Sequence, residues 1–532
     1  MDFLTIFFIL IALLALIVAY SHISSAQTKA YYESRNVAYG GGTTLRMFVG
    51  IFKGVNMMDS ISLQYQRMKA ANQKILASTV FGMTTITIID PAVLRSVFVK
   101  DFDHFADRRT SRDNSASKDV LLSKALFFMM GRNWRLLRSK LTPAFTTGKI
   151  KRLLPLFNES GKKLVKFLEG EISGGNEVDF MQAYSKYTMD IIATAVCGID
   201  SGAFDQKGMS KFEDMAAKLQ IQFGGVQFLK MMIIITSAKL GEFLGLTIFP
   251  KDASDFFSAA IKSSIAHRKN ESAKRTDFLQ LMLEARDNRL RVEDDELSTF
   301  EKDAILKDDP SKTSTSDENV LDDDGVVANS VLFLLAGYDT TQSLLVFCAY
   351  ALALNQDVQD KLRADVTRVL QEQGGDIDYH AAHEMTYLDM VISETLRVYP
   401  PAGASDRKCT KDYKLPGTEL IVKKGQGLLV PIYAMQHDPE YFPEPEKFNP
   451  ERFSKENEGN IVPYTYIPFG SGPRNCIGMR FALAEVKVAI AQLVYNFRIE
   501  PSSKTPIPMK YAKSASLKPE GGLFLGLTKI QH

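Results

Sequence analysis

Cysteine and tryptophan are scarce in this chain, with four and one respectively in 532 residues. The cysteines, Cys197, Cys348, Cys409 and Cys476, form no CxxC pair and no zinc ladder. So few thiols exclude a disulfide framework and favour a reducing compartment. If a cysteine does chemistry here, it does so alone. Net charge is nearly absent: lysine plus arginine is 64, aspartate plus glutamate 62, a balance of +2. That gives no whole-chain support for nucleic-acid binding, and no nucleic-acid partner is expected. The hydrophobic share of 45% and charged share of 24% are those of a packed globular protein.

Long apolar runs are rare as well. Phe3–Tyr20 carries no charge. As a helix it would span about 27 Å, close to a hydrocarbon core of about 30 Å. No lysine or arginine precedes it, whereas Lys29 and Arg35 follow, so the positive-inside bias places the bulk of the chain in the cytosol. A cleaved signal peptide would want a basic start and a shorter apolar stretch. Residues 1–25 therefore read as a membrane anchor. The weaker patch Val226–Ile235, followed by Leu240, Phe243 and Leu244, reads as core rather than as an interfacial segment.

Beyond the anchor, Thr84–Ile89 and Val93–Val99 read as short strands about a turn at Asp90-Pro91. Helical spacing marks Phe157–Glu169 and Ile261–Arg289. Residues 291–325 are acidic and poor in aromatics, and read as a mobile charged surface loop. Val326–Leu354 follows as a nearly uncharged helix with one acid, Asp339, and the aspartates at 322–324 suit its N-terminus. A helix apolar on every side is buried, which requires a large helical core. Two helices are expected over 355–399, little regular structure in the proline-rich 400–468, a helix over Arg480–Asn496, and strand pieces near Gly521-Gly522.

The sharpest local feature is Pro468-Phe469-Gly470-Ser471-Gly472-Pro473-Arg474-Asn475-Cys476-Ile477-Gly478, directly before that helix. Glycine permits close backbone approach and positive φ. A thiolate at a helix N-terminus is stabilised by the helix field and by free N–H groups. Such a sulfur can be a soft metal ligand, including an axial ligand of haem iron. Cys-Ile-Gly alone would be read as an inert turn cysteine; the whole string reverses that balance.

Phe469-x-x-Gly472-x-Arg474-x-Cys476-x-Gly478 resembles the haem-binding signature of the cytochrome P450 monooxygenases. Four further segments carry the resemblance. Ala336-Gly337-Tyr338-Asp339-Thr340-Thr341 looks like the oxygen-activation motif, and Glu394-Thr395-Leu396-Arg397 like the Glu-x-x-Arg motif. Pro450-Glu451-Arg452-Phe453 looks like the segment whose arginine joins that pair, and Trp134-x-x-x-Arg138 like the propionate-contact helix. Their order agrees across residues 30–530. The resemblance implies a mainly α fold with a smaller β-rich part, the cytochrome P450 fold, formed by residues 26–532 as a single catalytic domain.

It also implies roles. Cys476 is the metal ligand of haem b, with Phe469 and the glycines shielding the sulfur. Arg474, Trp134, Arg138 and Arg407 serve the propionates. Thr340 and Asp339 deliver protons to oxygen, and Ala336 and Gly337 leave room for it. Glu394, Arg397 and Arg452 support the haem site. Phe127, Phe333, Tyr338, Ala402, Ala404, Leu523 and Phe524 line a pocket for a lipophilic small molecule. O2 and NADPH are co-substrates, NADPH acting through NADPH–cytochrome P450 reductase, with cytochrome b5 as a second partner. The anchor implies the endoplasmic reticulum membrane, with a catalytic domain facing the cytosol. The string from Pro400 to Tyr413 resembles an insect subgroup linked to xenobiotics such as plant toxins and insecticides. The family's proline-rich hinge is replaced by Gly40-Gly41-Gly42. The rival readings are a monooxygenase of a hormone or endogenous lipid, a peroxide isomerase, and a haem-thiolate binding protein without turnover.

Overall fold

The structure, a computed structural model, describes residues 26–40, 57–80, 83–111, 120–175, 177–205, 208–220, 230, 233–234, 238–268, 277–290, 320–373, 375–514 and 516–531. The expected anchor, most of the patch at 226–235 and the loop over 291–319 lie outside the described residues. The fold is mainly helical with a smaller sheet content. The chain divides into two compact units, Met1–Thr110 with Ala404–Met435, and Ser111–Gly403 with Gln436–His532.

The first unit holds strands β1 (Ala38–Tyr39), β2 (Ile75–Val80) and β3 (Met83–Ile88). Residues 404–435 complete its sheet with β5 (Ser405–Lys408) and β8 (Gly427–Val430), in the order β1-β2-β3-β8-β5. The predicted turn at Asp90-Pro91 is instead a helix start. The Asp90 carboxylate accepts from the Ala92 and Val93 amides, Pro91 opens Pro91–Arg95, and Val93–Val99 is helical rather than a strand. Aspartate before proline serves an N-cap as well as a turn, and the second strand of the hairpin precedes the first predicted one.

In the second unit, α1 (Gly131–Leu141) and α2 (Leu154–Ile172) lead through β4 (Glu177–Asp179) to α3 (Phe180–Ile192), and the central α4 (Asp323–Leu354) comes later in the chain. The Asp322 carboxylate caps α4 by accepting from the Gly325 amide at 2.8 Å. Among the described residues α4 alone is long and apolar enough to cross a membrane, and 61% of its apolar window is buried inside the protein. It is a core helix, packed on α3. Gly337 permits that packing: a Cβ there would collide with Ile192 of α3. The predicted helix Ile261–Arg289 is resolved as Lys251–Arg268 and Phe278–Arg286.

After α4 come α5 (Gln356–Gln373), the short helix Tyr379–Glu384, and α6 (Thr386–Val398), three helices where two were expected. The proline-rich stretch carries more structure than predicted: β5 (Ser405–Lys408), β6 (Tyr413–Lys414), β7 (Ile421–Val422) and β8 (Gly427–Val430). These strands are too short for a sequence period to register. The helix α7 (Met479–Asn496) follows the cysteine loop, then β9 (Phe497–Pro501) and β10 (Phe524–Lys529), which pair with β4 in the order β4-β10-β9. Leu240, Phe243 and Leu244, just after the patch expected in the core, are exposed, Phe243 by 85%.

Candidate active site

Cys476 is set apart from the other cysteines by its surroundings. Cys197, Cys348 and Cys409 are buried, and Cys476 is exposed. Burial pushes the Cys197 and Cys348 thiols up to about 12, and burial pushes Cys409 up to about 11. Those thiols are inert at neutral pH. The loop around Cys476 is closed by its own backbone: the Cys476 amide donates to the Phe469 carbonyl at 2.9 Å, and the Asn475 amide to Gly472 at 3.0 Å. Gly470 and Gly472 hold φ of 72° and 76°, where a side chain would be strained.

Two buried arginines brace this loop. Arg138, on α1, donates to the Asn475 carbonyl at 3.0 Å and to Asn475 Oδ1 at 2.9 Å. Arg474 donates to the Met129 carbonyl at 2.7 Å and lies 4.6 Å from the Trp134 ring. Asn475 has no place in the sequence pattern, yet it ties α1 to the cysteine loop directly before Cys476.

The Glu394–Arg397 pair is fully buried and bidentate, at 2.7 and 2.9 Å. Arg452 Nε stands 3.4 Å from Glu394 Oε1, and the Asn449 amide donates to the same oxygen at 2.9 Å. Arg397 also donates to the Gln436 and Pro445 carbonyls, each at 2.8 Å. Gln436, which the sequence did not single out, extends the cluster: its amide donates to the Leu396 and Arg397 carbonyls and accepts from the Ile467 amide. Ile467 enters the cysteine loop. The cluster therefore fixes where that loop begins.

On α4, Ala336 and Thr340 are exposed in the middle of a largely buried helix. They stand one turn apart on one face. The Thr340 hydroxyl donates to the Ala336 carbonyl at 2.7 Å. Asp339 is half-buried; Ser516 donates to one of its oxygens and Lys518 pairs with the other. Tyr338 points elsewhere: it is buried, hydrogen-bonded to Ser185 at 2.8 Å, and burial pushes its hydroxyl pKa up. Phe333 belongs to an aromatic cluster with Phe145 at 5.4 Å and Phe278 at 5.1 Å.

The remaining pocket residues separate. Phe127 is 39% exposed, and Ala402 is exposed. Leu523 is sealed in the core, its carbonyl accepting from the Phe180 amide at 2.9 Å. Phe524 is half-buried beneath Lys504. The C-terminal contacts to Asp339 and Ser343 come from the 516–518 stretch instead. A small apolar void does lie along α4, lined by Leu121, Phe128, Leu219, Phe249, Val331 and Leu335 among others. Buried Asn329 holds its wall, accepting from the Leu126 amide at 2.9 Å and donating to the Lys124 carbonyl at 3.0 Å.

Arg407 and Ala404 belong to the first unit. Arg407 is buried 4.7 Å from the Phe98 ring centroid. Burial, with Arg108 nearby, brings its guanidinium down to about 9. An anion placed against it would relieve that cost.

The residues present fit a haem group. One exposed sulfur stands in a glycine-rich loop, buried cations brace that loop, and small side chains are exposed on α4. Among the described residues no cluster of histidine, cysteine, aspartate or glutamate could hold a metal by itself.

The family model for cytochrome P450 matches residues 41–526. Cytochrome P450 9e2 of Blattella germanica is 38% identical over 467 residues, covering 84% of this chain and 84% of that protein. Cytochrome P450 3A31 of Mesocricetus auratus is 36% identical over 445 residues, covering 82% and 81%. Cytochrome P450 6k1 of Blattella germanica is 34% identical over 450 residues, covering 84% and 83%. Insect and mammalian relatives thus stand at comparable distance.

Proposed function

The chain belongs to the cytochrome P450 family, and on that premise we propose that it is a microsomal haem-thiolate monooxygenase of lipophilic foreign compounds. It is an NADPH- and reductase-dependent monooxygenase, and family membership implies haem b. The observation that carries the site assignment is the lone exposed cysteine in a loop closed by its own backbone.

Bound haem would supply the oxygen-activating iron, and the Cys476 thiolate would hold that iron. The chain's own residues do the rest. Arg138, Arg474 and Trp134 would take the propionates. Asn475 and Gln436 keep the loop in register. Thr340 would hold the water or hydroxyl that passes protons toward oxygen, exchanging its bond to the Ala336 carbonyl for that task, and Asp339 would feed it from solvent. Ala336 keeps this face open, while Gly337 serves the packing of α4 on α3.

The foreign-compound reading is supported by the resemblance of the string from Pro400 to Tyr413 to an insect subgroup linked to xenobiotics. Residues 1–25 would anchor the enzyme, and the reductase and cytochrome b5 would dock on the cytosolic side.

The test is a reduced carbon-monoxide difference spectrum on the full chain in membranes, followed by reductase, NADPH and a panel of lipophilic substrates. The red-shifted thiolate band with oxygenated products from several unrelated compounds is expected. Cys476→Ala should lose that band; its persistence would remove Cys476 as the ligand. Turnover of one endogenous lipid alone would favour the narrow-substrate reading.

A further inference from the structure

Asp339 is held from outside its own helix. Ser516 Oγ donates to Asp339 Oδ2, and Lys518 Nζ pairs with Oδ1. The Lys518 side chain is 9% exposed and that of Asp339 16%. A lysine this buried is rare unless paired. The stretch that carries both partners is itself pinned. Ser343, one turn after Asp339, donates to the Leu517 carbonyl, and the Leu517 amide donates to the Pro401 carbonyl at 3.0 Å. Three successive residues of the C-terminal segment thus grip one turn of α4, beside exposed Thr340.

We propose that Lys518 and Ser516 are positioning residues for proton delivery: they fix the Asp339 carboxylate so that oxygen is spent on product. This rests on the monooxygenase reading above. In the coupled reaction, substrate RH, O2, NADPH and H+ give ROH, H2O and NADP+. When proton delivery fails, O2, NADPH and H+ give H2O2 and NADP+ instead. A carboxylate released from its two donors samples several rotamers, and only some of them serve Thr340. Arginine at 518 keeps the charge and can still reach; methionine keeps the bulk and loses the charge.

The experiment compares full-length wild type, Lys518→Met, Lys518→Arg and Ser516→Ala, each with reductase, NADPH and a substrate that the wild type oxidises. Product and peroxide per NADPH, the solvent deuterium isotope effect on turnover, and the reduced carbon-monoxide band are measured. For Lys518→Met the expected result is an intact band and a product-to-peroxide ratio lower by about tenfold, below the full contribution of a positioned acid. A changed isotope effect should accompany it. Lys518→Arg should restore most of the coupling, and Ser516→Ala should fall between. A purely structural role would move thermal stability and leave the ratio unchanged. If Lys518→Met does not accumulate, Ser516→Ala carries the test, and wild-type coupling in it overturns the proposal. Wild-type coupling in Lys518→Met with the band intact overturns it as well. A wild-type enzyme with the band but no product from any substrate overturns the monooxygenase reading itself.

Discussion

Glu394 and Asp339 are both acids paired with a basic side chain in the same unit, and they are built on opposite plans. The Glu394–Arg397 pair itself is dry. Both side chains are at 0% exposure, and the arginine spends its remaining donors on backbone carbonyls. Asp339 is partly open, has two partners, and stands beside an exposed hydroxyl. A saturated ion cluster has no spare proton site and one favourable geometry, so it suits assembly. A half-open acid with few partners can exchange protons with solvent. The same pairing chemistry thus serves rigidity in one place and transfer in the other.

The largest expected effect comes from breaking the dry cluster. Arg397→Ala strands Glu394 beside Arg452 alone and empties the donors that the Gln436 and Pro445 carbonyls use. Removing one partner of a buried pair costs about 3–5 kcal/mol. Haem-loaded protein should fall accordingly, read as the carbon-monoxide band per unit of purified chain. Arg397→Lys should rescue little, because an ammonium cannot reproduce the planar fork. A stable, fully loaded Arg397→Ala protein would place the cluster outside assembly and dissolve the contrast with Asp339.

What was legible in the sequence, and what was not, follows the same division. The cysteine loop, the acid in an apolar helix and the Glu-x-x-Arg spacing are local patterns, carried by residue types uncommon in their setting. Asp339 stands out because a lone acid in an apolar helix is costly. Its partners do not: Ser516 lies 177 positions away in a stretch with no distinctive pattern. Asn475 and Gln436 were equally silent, since amides that bond backbone carbonyls leave no spacing to read. Tyr338 is expected in the pocket as a residue of the central helix, but adjacent helical residues face different directions. Asp90-Pro91 failed for another reason: the dipeptide is compatible with a turn and with an N-cap, and only the amides of Ala92 and Val93 decide between them.

Glu485 provides a third acid that sharpens the comparison. It lies on α7 at 0% exposure, and neither carboxyl oxygen has a hydrogen-bond partner among the described residues. Burial pushes its pKa well above the usual carboxylate range. The folded protein then holds Glu485 neutral after the unfolded chain has ionised it. Both states are protonated at low pH, so the group costs nothing there. As pH rises through the unfolded value, wild type should lose stability relative to Glu485→Gln by up to about 1.4 kcal/mol per pH unit. The loss should continue until the folded pKa is reached. Thermal midpoints of the two proteins between pH 5 and pH 8 (about the span from the unfolded carboxylate upward) should therefore diverge; parallel curves would mean that Glu485 is ionised and paired.

The smallest expected effect separates position in the chain from position in space. Tyr338 adjoins Asp339, yet its hydroxyl closes a buried chain in the other direction. It bonds Ser185, which donates to Glu213 at 2.6 Å. Glu213 stands 4.0 Å from Lys186, whose ammonium donates to the Ala203 and Gly208 carbonyls, each at 2.7 Å. Tyr338→Phe removes one hydrogen bond and keeps the ring, so it should cost about 1 kcal/mol of stability. Ser185 keeps Glu213 as a partner, which limits the loss. Product distribution and peroxide leak should stay at wild-type values, unlike those of Lys518→Met. A Tyr338→Phe enzyme with altered product ratios at wild-type stability would return this residue to the substrate pocket. Acid and neighbour would then share one face of α4, and the helix would have to turn there differently from the one described.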